Sequence, residues 1–185
     1  RRSAAPISAE FAPGGEHAVS AQLDDIDRQI LDLLQRDARM TNAAIAAEVG
    51  LTAPSVFERV RKLEQRGVIS GYTIKIDPAA LDKPMTAFIR LTAAFDERYD
   101  AGIKAISDDP DVLECYSVAG EDCLILKTRC GSPSDLENLL GRIRSVLTVQ
   151  RSVTMIALRV LKENAPLNVL PASRRAAARP TGSRR

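Results

Sequence analysis

Apolar residues fall at helical spacing through the first third of the chain and at alternating spacing afterwards, so the two parts predict different architectures. Ile26, Ile30, Leu33 and Leu34 recur at i, i+4, i+7 and i+8, which predicts one apolar face of a helix. That helix opens at Leu23-Asp24-Asp25, where an aspartate can cap it and acids suit the positive end of its dipole. A second, shorter helix is predicted after Thr41, with Ile45 and Val49 on one side and Gly50 as its end. Thr52 caps a third, Pro54 fits its first turn, and Val56, Val60 and Leu63 form its apolar stripe up to Gly67. Three helices with a Gly-Leu-Thr turn between the second and third make a helix-turn-helix. Val68, Ile69, Tyr72, Ile74 and Ile76 then predict a strand, a candidate wing, which Asp77-Pro78 stops.

From Met85 the period changes. Strands are predicted over 86–94, 112–118 and 123–129, the last two joined through Gly120. Helices are predicted over 97–107 and 134–147, and a final strand over 153–161. The order βαββαβ describes a ferredoxin-like sheet with its helices on one face. The expected fold is α+β: an N-terminal winged helix-turn-helix over 23–76, a linker over 77–84, and a ferredoxin-like domain over 85–165. Segments 1–22 and 166–185 are rich in Ala, Pro, Gly, Ser and Arg without apolar periodicity, and are expected to be tails that cannot offset their ordering entropy by burial.

Composition narrows the function. At 185 residues and 45% hydrophobic, the chain suits one or two small domains. No apolar run approaches the roughly 20 residues of a membrane helix. Residues 1–22 lack the apolar centre of a signal peptide, so a cytoplasmic protein is expected. Cys115, Cys123 and Cys130 form no Cys-x-x-Cys pair, and the single histidine, His17, lies in the first tail. No zinc ligand set results, no cofactor is expected, and the cysteines are read as small core residues. With no glycine-rich phosphate loop and no nucleophile elbow, catalysis is not expected either; Asp108 and Asp109 sit where a polar loop is predicted.

The net charge of +2 is unevenly spread. Between Glu58 and Lys75 there are five basic residues against two acids, and from Pro171 to Arg185 five arginines and no acid. On the third helix Ser55, Glu58, Arg59, Lys62 and Arg66 fall on one arc beside the apolar stripe. Such an arc is either an ordinary solvated face or the edge that a helix presents to the major groove of DNA. Pro54, Ser55, Glu58 and Arg59, near the helix start, are the candidate base readers. Lys62 and Arg66 are candidate phosphate contacts, and capping Thr52 completes the set. Glu58 can accept from a cytosine amino group or pair with Lys62 one turn on.

The stretch LDDIDRQILDLLQRDARMTNAAIAAEVGLTAPSVFERVRKLEQRGVISGY, Leu23 to Tyr72, resembles the Lrp/AsnC, or feast/famine, family in its opening Leu-Asp-x-x-Asp, its Gly-Leu-Thr turn, its Arg-Val-x-x-Leu-Glu helix and its closing Gly-Val-Ile-x-Gly-Tyr. VAGEDCLILKTR, Val118 to Arg129, is similar to the glycine-centred turn and strand of that family's effector domain. The resemblance spans about Leu23 to Asn164. It implies a transcriptional regulator that binds double-stranded DNA sequence-selectively and forms homodimers through the C-terminal domains, often associating into octamers. It also implies a small-molecule effector, an amino acid, bound between C-terminal domains at Val118, Gly120, Glu121, Asp122 and Cys123.

At that turn backbone amides can receive a carboxylate and an acid can meet an ammonium group. The family often shows Gly-Asp-aromatic-Asp here, whereas this chain has Gly120-Glu121-Asp122-Cys123. A hairpin turn with two solvated acids is the plainer reading. The rival to a sequence-specific regulator is a nucleoid-associated architectural protein, for which the arginines after Pro171 would neutralise phosphates without reading bases.

Overall fold

The structure, a computed structural model, describes residues 22–169; the readings for 1–21, His17 among them, and for 170–185 lie outside the described residues. It divides into two compact units. One is helical and comprises 22–73 with 164–169; the other spans Ile74–Glu163 and carries the sheet.

The helical unit forms where the caps predict it. α1 runs Asp25–Arg36 from a capping box, in which the Asp24 carboxylate accepts the Asp27 amide at 2.7 Å and Asp27 accepts the Asp24 amide. α2, Asn42–Val49, starts on Thr41 and ends on Gly50, whose φ of 72° lies in the left-handed region that glycine enters without a Cβ clash. α3, Ala53–Gln65, is capped by Thr52 with Pro54 in its first turn. Ile30, Ile45, Val56 and Leu63 are fully buried where the three helices meet. Burying such a side chain stabilises the unit by roughly 1.5–3 kcal/mol each, far more than helix propensity supplies at these lengths.

The sheet unit has the strand order β2-β3-β1-β4, every neighbouring pair antiparallel, with β1 at Met85–Ala93, β2 at Val112–Ser117, β3 at Leu124–Cys130 and β4 at Val149–Ile156. A short 3-10 turn, Pro78–Leu81, precedes it. α4, Tyr99–Ser107, and α5, Pro133–Val146, supply Ile106, Leu139 and Ile143 to the core they share with Ile89, Leu91 and Leu126 of the sheet. Strand alternation sends Phe88 and Arg90 of β1, Lys127 of β3, and Arg151, Val153 and Met155 of β4 to the opposite face. There Phe88, Tyr116, Val153 and Met155 remain 36–52% exposed.

Two expectations are corrected. Residues 68–76 join no sheet among the described residues: a strand exists only by pairing, and the one sheet described is the four-stranded one. The last strand lies at Val149–Ile156, not 153–161, because its partner β1 begins at Met85 and pairing ends at Ala87 with Ile156. Leu158 and Leu161 therefore stand exposed beyond the ladder. Cys130 is buried, as a small core residue should be, whereas Cys115 and Cys123 are half-buried; all three are free thiols.

Candidate nucleic-acid interface and effector turn

Because Val56 and Leu63 point into the helical core, the turns between them present the rest of α3 outward. Ser55, Glu58, Arg59, Lys62 and Arg66 line one side, together with Asp27 and Leu63, around a hollow of about 390 Å³. Thr52 and Pro54 are exposed at the start of the same helix. The Thr52 hydroxyl lies 2.9 Å from that of Ser55 and accepts the Ser55 amide at 3.4 Å, so the two are tied to each other. Phe57 and Arg61 belong to the other side of α3, where they line a separate hollow with Leu34, Met40, Val60 and Tyr72.

The four charged candidates on this edge behave in three ways. Lys62 and Arg66 are exposed and enter no ion pair among the described residues, which leaves two cations facing solvent on one edge. Glu58 pairs with Arg61 at i+3, 3.1 Å, rather than with Lys62. The largest departure is Arg59. Read from the sequence as a base reader, it instead donates from Nη1 to Asp24 at 2.6 Å and Asp27 at 2.7 Å, across to the N-terminus of α1. The Asp27 backbone amide, with Arg59 after it, holds the Asp24 carboxyl below its usual range, and the Asp24 and Asp27 carboxylates raise Arg59 above its own. A guanidinium shared by two carboxylates must surrender those bonds before it can reach a base. Asp24 was visible in the sequence as a candidate cap and Asp27 as the end of Leu-Asp-x-x-Asp, but nothing local marks them as partners of a residue 35 and 32 positions away.

At the turn after β2, Gly120 adopts φ 148°, a conformation a side chain would strain. Val118 donates its amide to the Cys123 carbonyl at 3.0 Å, which closes the turn. The Cys123 amide donates to the Leu91 carbonyl at 2.9 Å, and the thiol lies 3.3 Å from that same carbonyl, so Cys123 serves as backbone anchor and filler. Of the two acids only Glu121 is solvated, its side chain 83% exposed. Asp122 is buried at 6% and accepts from Arg90 Nε at 2.6 Å, again from Arg90 Nη2, and from Arg151 Nη2 at 3.0 Å. The expectation of two solvated or ligand-seeking acids therefore holds for one. Arg90 and Arg151 were missed; their signal was strand parity, since both fall on the outward positions of β1 and β4 beside the turn.

Comparison with known proteins places both regions. The AsnC-type helix-turn-helix domain model matches residues 23–64, and the Lrp/AsnC ligand binding domain model matches 86–167. The HTH-type transcriptional regulator LrpA of Mycobacterium tuberculosis is 39% identical over 134 residues, 72% of this chain and 89% of that protein. Among solved structures, an AsnC family transcriptional regulator from Agrobacterium tumefaciens superposes with a TM-score of 0.74 at 25% identity, over 78% of this chain and 95% of its own. A transcriptional regulator from Neisseria meningitidis, solved as a complex with L-Met, superposes with a TM-score of 0.73 at 25% identity, over 78% and 96%.

Proposed function

The chain belongs to the Lrp/AsnC family of transcriptional regulators, and from that premise we propose that it regulates transcription from the cytoplasm by seating α3 in the major groove of double-stranded DNA under the control of an amino acid. The observation that carries the reading is the outward edge of α3, where Lys62 and Arg66 stand uncompensated around the hollow that Ser55 and Glu58 also line. Thr52, Pro54, Ser55 and Glu58, at the helix start, approach base edges, with Glu58 free to accept from a cytosine amino group once Arg61 turns to phosphate. Lys62 and Arg66 contact phosphates. Arg59 acts through α1 by fixing the angle at which α3 is offered.

The amino acid binds at the Val118–Cys123 turn. Asp122 is already held by two arginines, so the roles shift from those read in the sequence: Arg151 and the backbone amides beside Gly120 receive the carboxylate, and Glu121 meets the ammonium group. Two copies associate through the open sheet face, whose Phe88, Tyr116, Val153 and Met155 form a self-complementary patch under two-fold symmetry; assemblies up to the octamer follow from further contacts.

Gel-shift titration against a duplex selected by the protein from a randomised pool, and against random sequence at the same salt, tests the regulator reading. A selected duplex bound tenfold or more tighter supports it; equal affinity favours the architectural alternative. Calorimetry with the common amino acids tests the effector, and no heat with any of them removes it.

A further inference from the structure

The chain passes between the two units twice. The first passage lies in 70–77, a stretch that carries neither helix nor strand and includes Gly71. The second comes after Glu163, the last residue of the sheet unit, where 164–169 returns to the helical unit. This second passage is held at both ends. On the sheet, Glu163 pairs with Lys127 at 2.8 Å and Arg129 at 2.6 Å, side chains 13% and 10% exposed against its own 21%. Ion pairs shielded to this degree hold harder than pairs on an open surface.

On the helical side the hold is on α1. The Gln35 amide grips the backbone of Leu167 on both sides, Nε2 donating to its carbonyl at 3.1 Å and Oε1 accepting its amide at 2.7 Å. Arg28 Nη1 donates to the Val169 carbonyl at 3.1 Å, and Val169 is half-buried against the same core as Ile30 and Leu63. Arg28 and Gln35 stand about two turns apart and so share one face of α1. The same helix holds Arg59 of α3 through Asp24 and Asp27 at its N-terminus. These bonds to Leu167 and Val169 come from α1 and from none of Ser55, Glu58, Lys62 or Arg66, so they leave the outward edge of α3 clear.

Only Asn164, Ala165 and Pro166 separate these two held ends. Each is conformationally restricted. Asn164 adopts φ 49°, in the left-handed region that asparagine enters more readily than most side chains. The ring of Pro166 fixes its own φ and steers Ala165, before it, away from the helical region. We propose that 164–169 is a strap, short and stiff, that limits how freely the helical unit turns relative to the sheet unit and so offers α3 to DNA in a narrow range of orientations. Its consequence for DNA rests on the reading above; its mechanics do not. A unit restrained before binding gives up less freedom when it seats on a duplex, which raises affinity without adding a contact. Gln35, Arg28 and Glu163 are thus positioning residues for α3.

Two variants of the full chain test the strap. A Gly-Ser-Gly-Ser-Gly-Ser insertion between Ala165 and Pro166 slackens the link and leaves both held ends intact. Gln35→Ala with Val169→Ala opens the hold on α1. Relaxation of the backbone amide nitrogens in the isotope-labelled chain gives a rotational correlation time for each unit. Fluorescence anisotropy across a salt series gives affinity for a selected and for a random duplex. The expected result is one shared correlation time in the wild type and a shorter one for the helical unit in both variants. Affinity for both duplexes falls several-fold in the variants, with the salt slope unchanged because no phosphate contact is lost. Separate correlation times in the wild type overturn the strap, and so does an insertion variant that tumbles as the wild type does. A change confined to the Gln35→Ala, Val169→Ala variant reduces 164–169 to a support for the helical core. Wild-type affinity in an insertion variant whose helical unit tumbles faster overturns the positioning role. Failure of the wild type to bind either duplex overturns the DNA-binding reading and leaves the relaxation result to judge the strap alone.

Discussion

The two units each contain a three-membered charge cluster, and the clusters are inverse. In the helical unit one arginine, Arg59, lies between two aspartates, Asp24 and Asp27; in the sheet unit one aspartate, Asp122, lies between two arginines, Arg90 and Arg151. The first has a surplus of negative charge, but it sits at the N-terminus of α1, where the cap and the helix dipole absorb it. It is complete. The second holds its buried carboxylate between partly exposed guanidinium groups, 37% and 49% exposed, and exposed Glu121 balances the extra cation only from 3.7 Å, at Arg151. Its outer pair, Arg151 with Glu121, is long and exposed, so little is lost when it opens. On the proposed function the closed triad orients a helix, whereas the open one receives the carboxylate of the effector.

The sharpest way to break this contrast is Asp122→Ala. Removing a buried partner usually costs about 3–5 kcal/mol, but both arginines reach water here, so the expected loss is about 1–3 kcal/mol in urea denaturation of the full chain. No loss would mean that the buried carboxylate does not hold the turn. Arg59→Ala should cost less, about 1–2 kcal/mol, because Asp24 is half solvated. If Arg59 orients α3, Asp24→Asn with Asp27→Asn weakens DNA binding by a similar factor, and base preference survives in both variants. Base preference relaxed at one position by Arg59→Ala alone would restore it as a reader and dissolve the inverse pairing.

Acid should separate the units next. Arg142 holds Asp109 low, Lys83 does so for Asp111, the Tyr116 hydroxyl with Lys127 for Glu114, and Lys127 for Glu163. Among the described residues of the helical unit, Asp24 is the carboxyl so held. Carboxyls depressed in the folded state stabilise it fully above the ordinary range near pH ~4, and that stabilisation is lost as pH falls through their folded values. Hydrogen exchange below about pH 4 should therefore show protection falling further in the sheet unit than in the helical one; the reverse order would contradict these assignments. The smallest stability effect is expected for Glu121→Gln, within about 0.5 kcal/mol for an exposed side chain. Its signature is in calorimetry, as several-fold weaker amino-acid binding, and an unchanged affinity would take Glu121 out of the effector site.

What was legible in the sequence was what is decided within a few residues. Asp24, Thr41 and Thr52 each bond an amide at most three positions away, and each helix begins where that logic puts it. Strand parity would likewise have sorted the two sheet faces, Arg90 and Arg151 included. The failures share a cause, since each depends on a partner far along the chain. Leu158 and Val160 alternate as a strand should, but the length of β1 decides where β4 stops. Val68–Ile76 has strand composition and no ladder in the described residues. The same distance hid the captors of Arg59 and Asp122, which arrive from other elements once the fold has closed.

The uncovered sheet face carries a thermodynamic consequence. With Phe88, Tyr116, Val153 and Met155 in water, a lone protomer forgoes apolar burial that a second copy would provide. If two copies pair through this face as proposed, folding and association share one equilibrium, and the melting midpoint climbs with protein concentration by mass action. On that pairing, dilution, rather than heat or denaturant, becomes the gentlest way to loosen this protein.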